Sequence, residues 1–270
     1  MLLLVPTLGF LAVFFAYPLI DILMRSIEGS QGFTVEHYKR FFERSVYIHV
    51  LMITFEIAFS VTVLSLIIAY PLAFVLSTSR GKIATVLMAM VLIPFFTSIL
   101  VRTYAWIVIL GPEGIVNQTL KWIGFEAVQL LYNRTSVLIG LTYTLLPYMV
   151  LTLYSVMRGI DFQLVRAAYS LGAGDWNVFR RIFLPHTLPG IVGGSILVFI
   201  LAVGYYITPR LMGGDRDQMM ATIIEYQVDI LLNWNFASAL ATILLIITLG
   251  GFALYAWLVG LRTLFESRVT

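Results

Sequence analysis

Two ionisable side chains lie inside apolar runs of the sequence and are its first candidates for chemistry. Glu56 and Arg102 each fall within a run of residues long enough to cross a bilayer. A charge at the centre of such a run costs ~2.5–3.5 kcal/mol on insertion scales. Two interpretations stay open: the side chains extend to a nearby polar boundary, or they line a pathway and select the charge of what passes.

Other kinds of chemistry find no matching residues. The sequence has no cysteine, which excludes disulfides and thiolate metal sites, and its histidines are scattered rather than clustered. The pair Gly81-Lys82 is not a phosphate-binding loop, because Leu76 stands where the first glycine is needed and Ile83 where Ser or Thr is needed. No run holds a His/Asp/Glu cluster or a Ser/His pair. We therefore predict neither catalysis nor a metal or other cofactor in this chain.

The composition is typical of a membrane protein. Hydrophobic residues make up 60% of the 270 residues and charged residues 11%, against roughly 25% charged in a soluble domain. The net charge of +3 does not indicate nucleic-acid binding, because no basic run is longer than Arg180-Arg181. We predict an all-α membrane protein with one transmembrane domain over residues 1–270.

Six apolar segments are predicted to cross the membrane, since about 20 residues of helix match a ~30 Å hydrocarbon core. The first is interpreted as a span rather than a cleaved signal peptide, because it lacks a basic leading region and Pro18 falls where a small cleavage residue is needed. It begins abruptly in apolar residues, so we expect a polar leader before it. The predicted spans cover residues 2–24, 48–77, 83–110 with a break at Pro94, 135–157, 190–207 and 236–261.

The longest polar interval between two predicted spans covers residues 158–189. Asp161 can cap a first short helix, Gly172 can end it and Asp175 can cap a second, which Pro185 and Pro189 are expected to stop. Both helices carry an apolar stripe that either packs against neighbouring spans or faces a partner protein. The stripes consist of Phe162, Val165 and Tyr169 on the first helix, and of Trp176, Phe179 and Phe183 on the second.

The residue order in this interval resembles the cytoplasmic loop of ABC importer permeases. The family pattern is Glu-Ala-Ala, three residues, Gly, nine residues, Ile, one residue, Leu-Pro, and this sequence departs from it only where Arg166 replaces the acidic residue. In the family, this loop forms a coupling helix that sits in a cleft of the ATP-binding subunit. By resemblance, ATPase coupling is assigned to Arg166, Ala167, Ala168, Gly172, Asp175, Ile182, Leu184 and Pro185.

The same resemblance implies a fold and a set of partners. The fold is that of a type I ABC importer permease with six transmembrane helices, and the domain of residues 1–270 is then a permease domain in a bacterial inner membrane. ATP and Mg²⁺ are expected on a separate ATPase subunit. A second permease, expected to be a paralogue, completes the pathway, and a periplasmic or extracellular binding protein delivers the solute.

Segments 94–98, 101–106, 143–148 and 208–214 resemble the spermidine/putrescine permease group. This resemblance implies a polyamine or related amine as solute, while opine, aminophosphonate and iron-carrier importers of the same group stay open. A polyamine favours acidic residues and aromatic faces, the latter through cation–π attraction of ~0.5–2 kcal/mol, whereas Arg102 favours a ligand with an acidic group. For the aromatic residues, interfacial anchoring or packing stays open. The candidate pathway residues are Glu56, Arg102, Tyr104, Trp106, Tyr205, Tyr206 and Glu225.

The charge distribution predicts the orientation. With the 158–189 loop inside, the inner loops and tail hold eight basic and three acidic residues, so 8 − 3 = +5, while the other nine basic and eleven acidic residues give 9 − 11 = −2. We therefore expect both termini in the cytoplasm. Two other classes of protein stay open: an ion-coupled secondary carrier, for which Glu56 is one acid without a visible internal repeat, and an intramembrane enzyme.

Overall fold

The structure is a computed structural model that describes residues 5–29 and 32–266, and most of these residues are helical. The predicted all-α membrane class is therefore confirmed. The described strands are β1 (Glu28–Gly29) and β2 (Gly32–Phe33), which pair antiparallel. The described helices are, in chain order, α1 (Val5–Leu11), α2 (Tyr17–Arg25), α3 (Glu36–Glu43), α4 (Ser45–Thr78), α5 (Lys82–Phe96), α6 (Ile99–Leu110), α7 (Ile115–Trp122), α8 (Arg134–Arg158), α9 (Phe162–Ser170), α10 (Asp175–Val178), α11 (Leu184–Val203), α12 (Ile207–Met212), α13 (Met220–Asp229) and α14 (Trp234–Glu266).

Most predicted spans coincide with helices. The first corresponds to α1 and α2, which are joined through a π-helical turn at Ala12–Ala16; its predicted start at residue 2 and the tail residue Arg268 lie outside the described residues. Among the described residues, five stretches are long and apolar enough to cross a membrane, and α5 is a shorter apolar helix. The five are Ser45–Thr78, Ile99–Trp122, Arg134–Arg158, Asp175–Val203 and Trp234–Ala253.

The third predicted span is divided into α5 and α6. Pro94 remains inside α5, and the break falls after it, where Thr97 takes an extended conformation and Ser98 is the cap residue before α6. A proline lacks the N–H of the helical ladder and crowds the preceding turn, which weakens the helix around it. The segments between predicted spans also contain helices that we did not predict, among them α7, α12 and α13.

The fifth predicted span begins earlier than expected, and the prediction that Pro185 and Pro189 stop a helix is wrong. The chain is helical from α10 through a π-helical turn at Phe179–Phe183 into α11. Pro185 lies inside this continuous helix, directly after the π turn, and cannot donate a hydrogen bond to the helical ladder there. In the π turn the N–H of Leu184 bonds the carbonyl of Phe179, five residues back, which shifts the hydrogen-bond register just before that proline.

The chain forms two compact units, residues 1–54 with 218–270 and residues 55–217. The expectation of one domain stays a prediction. In the first unit, the Phe236 ring is fully buried, contacts Tyr47 edge-on at 5.2 Å and lies 4.4 Å under the Arg40 guanidinium. The Thr54 hydroxyl accepts a 2.8 Å hydrogen bond from the Met220 backbone N–H. These interactions hold α3 and the first turns of α4 against α13 and α14.

The second unit is built around α8, most of whose inward side chains are buried. A capping box between Asn133 and Ser136 begins α8, and the Ser136 hydroxyl also donates to the Met212 carbonyl at 2.6 Å. Gly190 and Gly194 of α11 face α8 so closely that an added Cβ at Gly190 would lie 3.1 Å from the Val156 Cβ. Small residues at these positions let α8 and α11 pack with their backbones close together.

Candidate coupling loop and intramembrane cavity

The loop that follows α8 is a compact turn between two helices. The Asp161 side chain caps α9 by accepting from the Gln163 N–H at 2.8 Å, as predicted. Gly172 ends α9 in the left-handed region with φ +82°. The Ala173 N–H bonds the Ala168 carbonyl at 3.1 Å and the Gly172 N–H bonds the Tyr169 carbonyl at 3.0 Å, the pattern of a Schellman cap. The chain direction therefore depends on a backbone conformation that glycine adopts without strain.

Asp175 is not the cap residue that we predicted. Gly174 occupies the cap position of α10, and Asp175 lies in the first turn, where a negative charge favours a helix N-terminus. The Asp175 carboxylate, a hydrogen-bond acceptor for the Tyr169 hydroxyl, raises the pKa of Tyr169 above its ordinary value. The pair links α9 and α10 across the turn.

Large apolar side chains of the loop are exposed rather than packed. Leu171 is 88% exposed and Trp176 is 68% exposed. Arg166, Ala167 and Gly172 are exposed as well. Val165 is half-buried and Tyr169 is 46% exposed, and the side chain of Phe162 lies outside the described residues. Exposed apolar groups at the tip of a loop are typical of a protein contact.

The opposite side of the loop is anchored to the end of α4. Phe179 contacts Tyr70 edge-on at 6.2 Å, and Phe183 contacts Phe74 edge-on at 5.2 Å. The Tyr70 and Thr187 hydroxyls lie 3.0 Å apart, within hydrogen-bond distance. Because α10 continues helically into α11, these contacts and the helix together connect the loop to a membrane-spanning segment. Ile182 and Leu184 are half-buried on this connection, whereas Pro185 is exposed.

A second candidate site is a cavity of about 240 Å³ at the break between α5 and α6. Its lining combines the Arg102 guanidinium with the Phe95, Tyr148 and Tyr205 rings and the Thr144 side chain. Phe95 and Tyr148 contact each other edge-on at 5.0 Å. The Arg102 Nε is buried and has no hydrogen-bond partner among the described residues. The structure thus brings Arg102 and Tyr205 together, two residues that we predicted as pathway candidates.

The other aromatic candidates occupy different surroundings. Trp106 packs edge-on against Tyr143 at 5.6 Å, a packing role that we had left open. Tyr104 is 57% exposed and Tyr206 is 43% exposed. Neither of these tyrosines lines the cavity around Arg102, so the sequence-predicted set does not form one cluster.

The two acidic candidates belong to different units. Glu56 is on α4 in the second unit, where its carboxylate lies 2.7 Å from the Arg134 guanidinium. Its side chain is 62% exposed, so the pair contributes about 0–1 kcal/mol to stability. Glu225 is half-buried on α13 in the first unit. In this conformation, the Glu56 charge is already balanced by a cation of the same chain.

Sequence reasoning missed several residues of both sites. Leu171 stands next to the predicted Gly172 but falls outside the apolar stripe, so periodicity did not select it. Thr144 and Tyr148 reach the cavity from α8 although they lie far from Arg102 in sequence. The signal that was available is the polar pair Thr97-Ser98 after Pro94, which marks the helix break beside which the cavity forms.

Comparison with known proteins decides the family. The family model described as "Binding-protein-dependent transport system inner membrane component" matches residues 2–261. The chain belongs to this family. The spermidine/putrescine transport system permease protein PotB of Escherichia coli (strain K12) is 34% identical over 227 residues, which cover 83% of this chain and 82% of that protein. PotB of Haemophilus influenzae is 36% identical over 210 residues, covering 77% and 73%.

The structural comparison supports the same fold. A crystal structure of a bacterial alginate ABC transporter, in complex with a pentasaccharide-bound periplasmic protein, contains a chain that matches with a TM-score of 0.74. The two chains are 20% identical, and the match covers 92% of this chain and 88% of the other. The predicted type I ABC importer permease fold is thereby confirmed. The chain is a permease subunit of a binding-protein-dependent importer in the inner membrane.

Proposed function

We propose that this chain is one of two permease subunits of an ATP-driven importer for a polyamine such as spermidine or putrescine. The proposal is supported by PotB relatives that are 34–36% identical over most of the chain. An amine solute also fits the exposed faces of Tyr104 and Tyr206, since aromatic rings attract cations. Glu56 and Glu225 are the acids that we assign to the pathway, with Glu56 exchanging Arg134 for the solute's ammonium group.

The coupling loop is proposed to transmit the movement of a separate ATPase subunit. The single observation that carries this proposal is the unbroken helical connection from α10 through residues 179–183 into α11. A displacement of Trp176 at the exposed end of α10 therefore moves a membrane-spanning helix directly. Leu171 and Trp176 are the apolar residues proposed to enter the ATPase surface, and Arg166, Arg180 and Arg181 supply exposed positive charge around them.

The required work is compatible with such a lever. Shifting a gate from 1:99 to 99:1 needs about 5.5 kcal/mol of differential stabilisation. A helix transmits a displacement of the loop to the membrane only if it does not bend where it leaves the loop. The edge-on contacts of Phe179 with Tyr70 and of Phe183 with Phe74 support the helix at that point.

The remaining assignments follow from the proposed coupling. With the loop in the cytoplasm, both termini are cytoplasmic, and ATP and Mg²⁺ bind the ATPase subunit rather than this chain. The solute-binding protein then docks on the side of the membrane opposite to the coupling loop. The second permease is proposed to be a paralogue.

A transport measurement tests the solute. The subunits that co-purify with this chain are reconstituted into proteoliposomes, and uptake of radiolabelled putrescine and spermidine is followed with ATP inside the liposomes. We expect uptake that requires ATP hydrolysis and the binding protein, and that excess unlabelled polyamine abolishes. Uptake of an opine, an aminophosphonate or an iron carrier in place of polyamines would contradict the proposed solute, and uptake without an ATPase subunit would contradict the transporter class.

A further inference from the structure

The cavity beside the α5–α6 break has an unusual charge balance for a space within the membrane-spanning unit. Arg102 is the one formally charged residue among the described residues that line it, and no carboxylate of that part of the chain lines it. The Arg102 Nε–H is buried without an acceptor from the described residues. A cation in such a place is normally paired with an acid or with backbone carbonyls. The described residues that line the cavity therefore supply no negatively charged partner for Arg102.

The surrounding groups also favour negative charge. Helix α6 starts at Ile99, which lines the cavity, and Ser98 provides no side-chain cap for the first turn. The uncapped N–H groups of a helix start carry a partial positive charge. Thr144 and Tyr148, which carry hydroxyl groups, line the cavity from α8, and Tyr205 lies close enough to Arg102 to interact with its charge. The guanidinium, helix start and hydroxyls are all able to donate hydrogen bonds to an anion.

From this arrangement we propose that the cavity is a binding site for one small anionic group, held by the Arg102 guanidinium. A carboxylate matches the fork of a guanidinium with two parallel hydrogen bonds. A water molecule occupies roughly 30 Å³ of the liquid, so a cavity of about 240 Å³ holds a carboxylate together with a few waters. The rings of Phe95 and Tyr148 form part of the apolar wall of the cavity.

The anionic group has two possible sources, and both use the same chemistry. It is either a free small anion from solution, or an acidic group of the transported solute. A polyamine has no acidic group, so with that solute the anion must come from solution, and its charge offsets Arg102 while a polycation passes. The inference does not rest on the proposed solute, because the unpaired guanidinium Nε–H is present whatever the transporter carries.

The experiment uses the intact transporter in lipid nanodiscs at constant ionic strength. Thermal unfolding is measured while sodium gluconate, whose anion is much bulkier than formate, is replaced by sodium formate. A second pair of titrations compares putrescine with 4-aminobutyrate, in which a carboxylate replaces one terminal CH2–NH3+ group. The variants are Arg102→Gln, which removes the charge, and Arg102→Lys, which keeps it but loses the fork.

We expect a saturable stabilisation by formate in the wild type if the anion is free, or by 4-aminobutyrate but not putrescine if the group belongs to the solute. In either case the affinity falls at least tenfold in Arg102→Gln and several-fold in Arg102→Lys. Absence of both effects in the wild type overturns the proposal without any variant. An anion affinity that is unchanged in Arg102→Lys also overturns it, even if Arg102→Gln fails to assemble. Putrescine uptake is measured separately, so failure of the proposed solute is distinguishable from failure of the anion site.

Discussion

Replacing Gly172 by valine perturbs the turn of the coupling loop without creating a clash. An added Cβ at this position meets no atom within 4 Å, yet the backbone has φ +82°. The left-handed region costs an ordinary L-residue roughly 1–2 kcal/mol, and a β-branched side chain is disfavoured further. A cost of one or two kcal/mol changes a two-state ratio by about 5–30-fold. We expect the ratio of correctly shaped to misshaped loops to fall by that factor.

The assay compares Gly172→Val with Gly174→Val in the reconstituted transporter. Gly174 is in the same turn and also has no atom within 4 Å of an added Cβ, but its φ of −76° suits any residue. We expect Gly172→Val to lose most binding-protein-stimulated ATPase activity and uptake, while Gly174→Val keeps both. Membrane insertion and co-purification of the second permease are expected to be normal in both variants. Full uptake by an assembled Gly172→Val transporter would refute the reasoning.

Three further predictions concern packing, charge and pH. Gly190→Leu should lower the unfolding temperature of the transporter clearly more than Gly193→Leu, since overpacking costs about 1–3 kcal/mol and an added Cβ at Gly193 meets only one atom, 3.8 Å away; equal shifts would contradict the α8–α11 packing. Glu56→Gln should change the free energy of unfolding by less than about 1 kcal/mol, because the Glu56 side chain is 62% exposed and water screens its charge, and a larger loss in denaturant titration would contradict this. The Asp175 carboxylate raises the pKa of Tyr169, so the interaction of Asp175 with the neutral tyrosine is expected to stabilise the loop at neutral pH and to be lost as the pH rises past that raised pKa. The tyrosinate absorbance of wild type minus Tyr169→Phe should therefore titrate above the pKa of an unperturbed tyrosine, near 10.

Local features of the coupling loop could be predicted from the sequence because each depends on neighbours in the chain. To cap α9, Asp161 needs only the backbone N–H of the residue two positions later. Gly172 is a glycine, the residue type that most easily takes the left-handed conformation after a helix. The family pattern supplied the role that these positions have in relatives. None of this required knowledge of the tertiary packing.

The behaviour of the prolines could not be predicted in the same way. Pro185 was expected to stop a helix, but the π turn before it shifts the hydrogen-bond register so that the helix continues. The packing of Phe179 and Phe183 on α4 offsets the free-energy cost of this π turn. Periodicity contains no information about that packing. Pro94 was correctly expected to break a span, although the break falls at Thr97 and Ser98.

The cavity around Arg102 was beyond prediction because its walls are distant in sequence. Tyr148 on α8 and Tyr205 after α11 meet Arg102 only through the close packing of α8 and α11. The sequence marked Arg102 as a costly charge within a span, and both a snorkelling and a pathway role were open. Arg102 lies on a cavity wall, and its buried Nε lacks a partner among the described residues, which favours the pathway role.

The central claim is that an ATPase subunit binds the 158–189 loop, and site-specific cross-linking tests this claim most directly. Because the chain has no cysteine, Leu171→Cys and Trp122→Cys each create a single thiol on a side chain that is 88% exposed. A photoreactive maleimide is attached at each position in the assembled transporter and then activated. We predict that the label at position 171 cross-links to the ATPase subunit and that the label at position 122 does not. A label at position 171 that never reaches the ATPase, or a thiol there that reacts with an impermeant reagent added outside intact cells, would contradict the account.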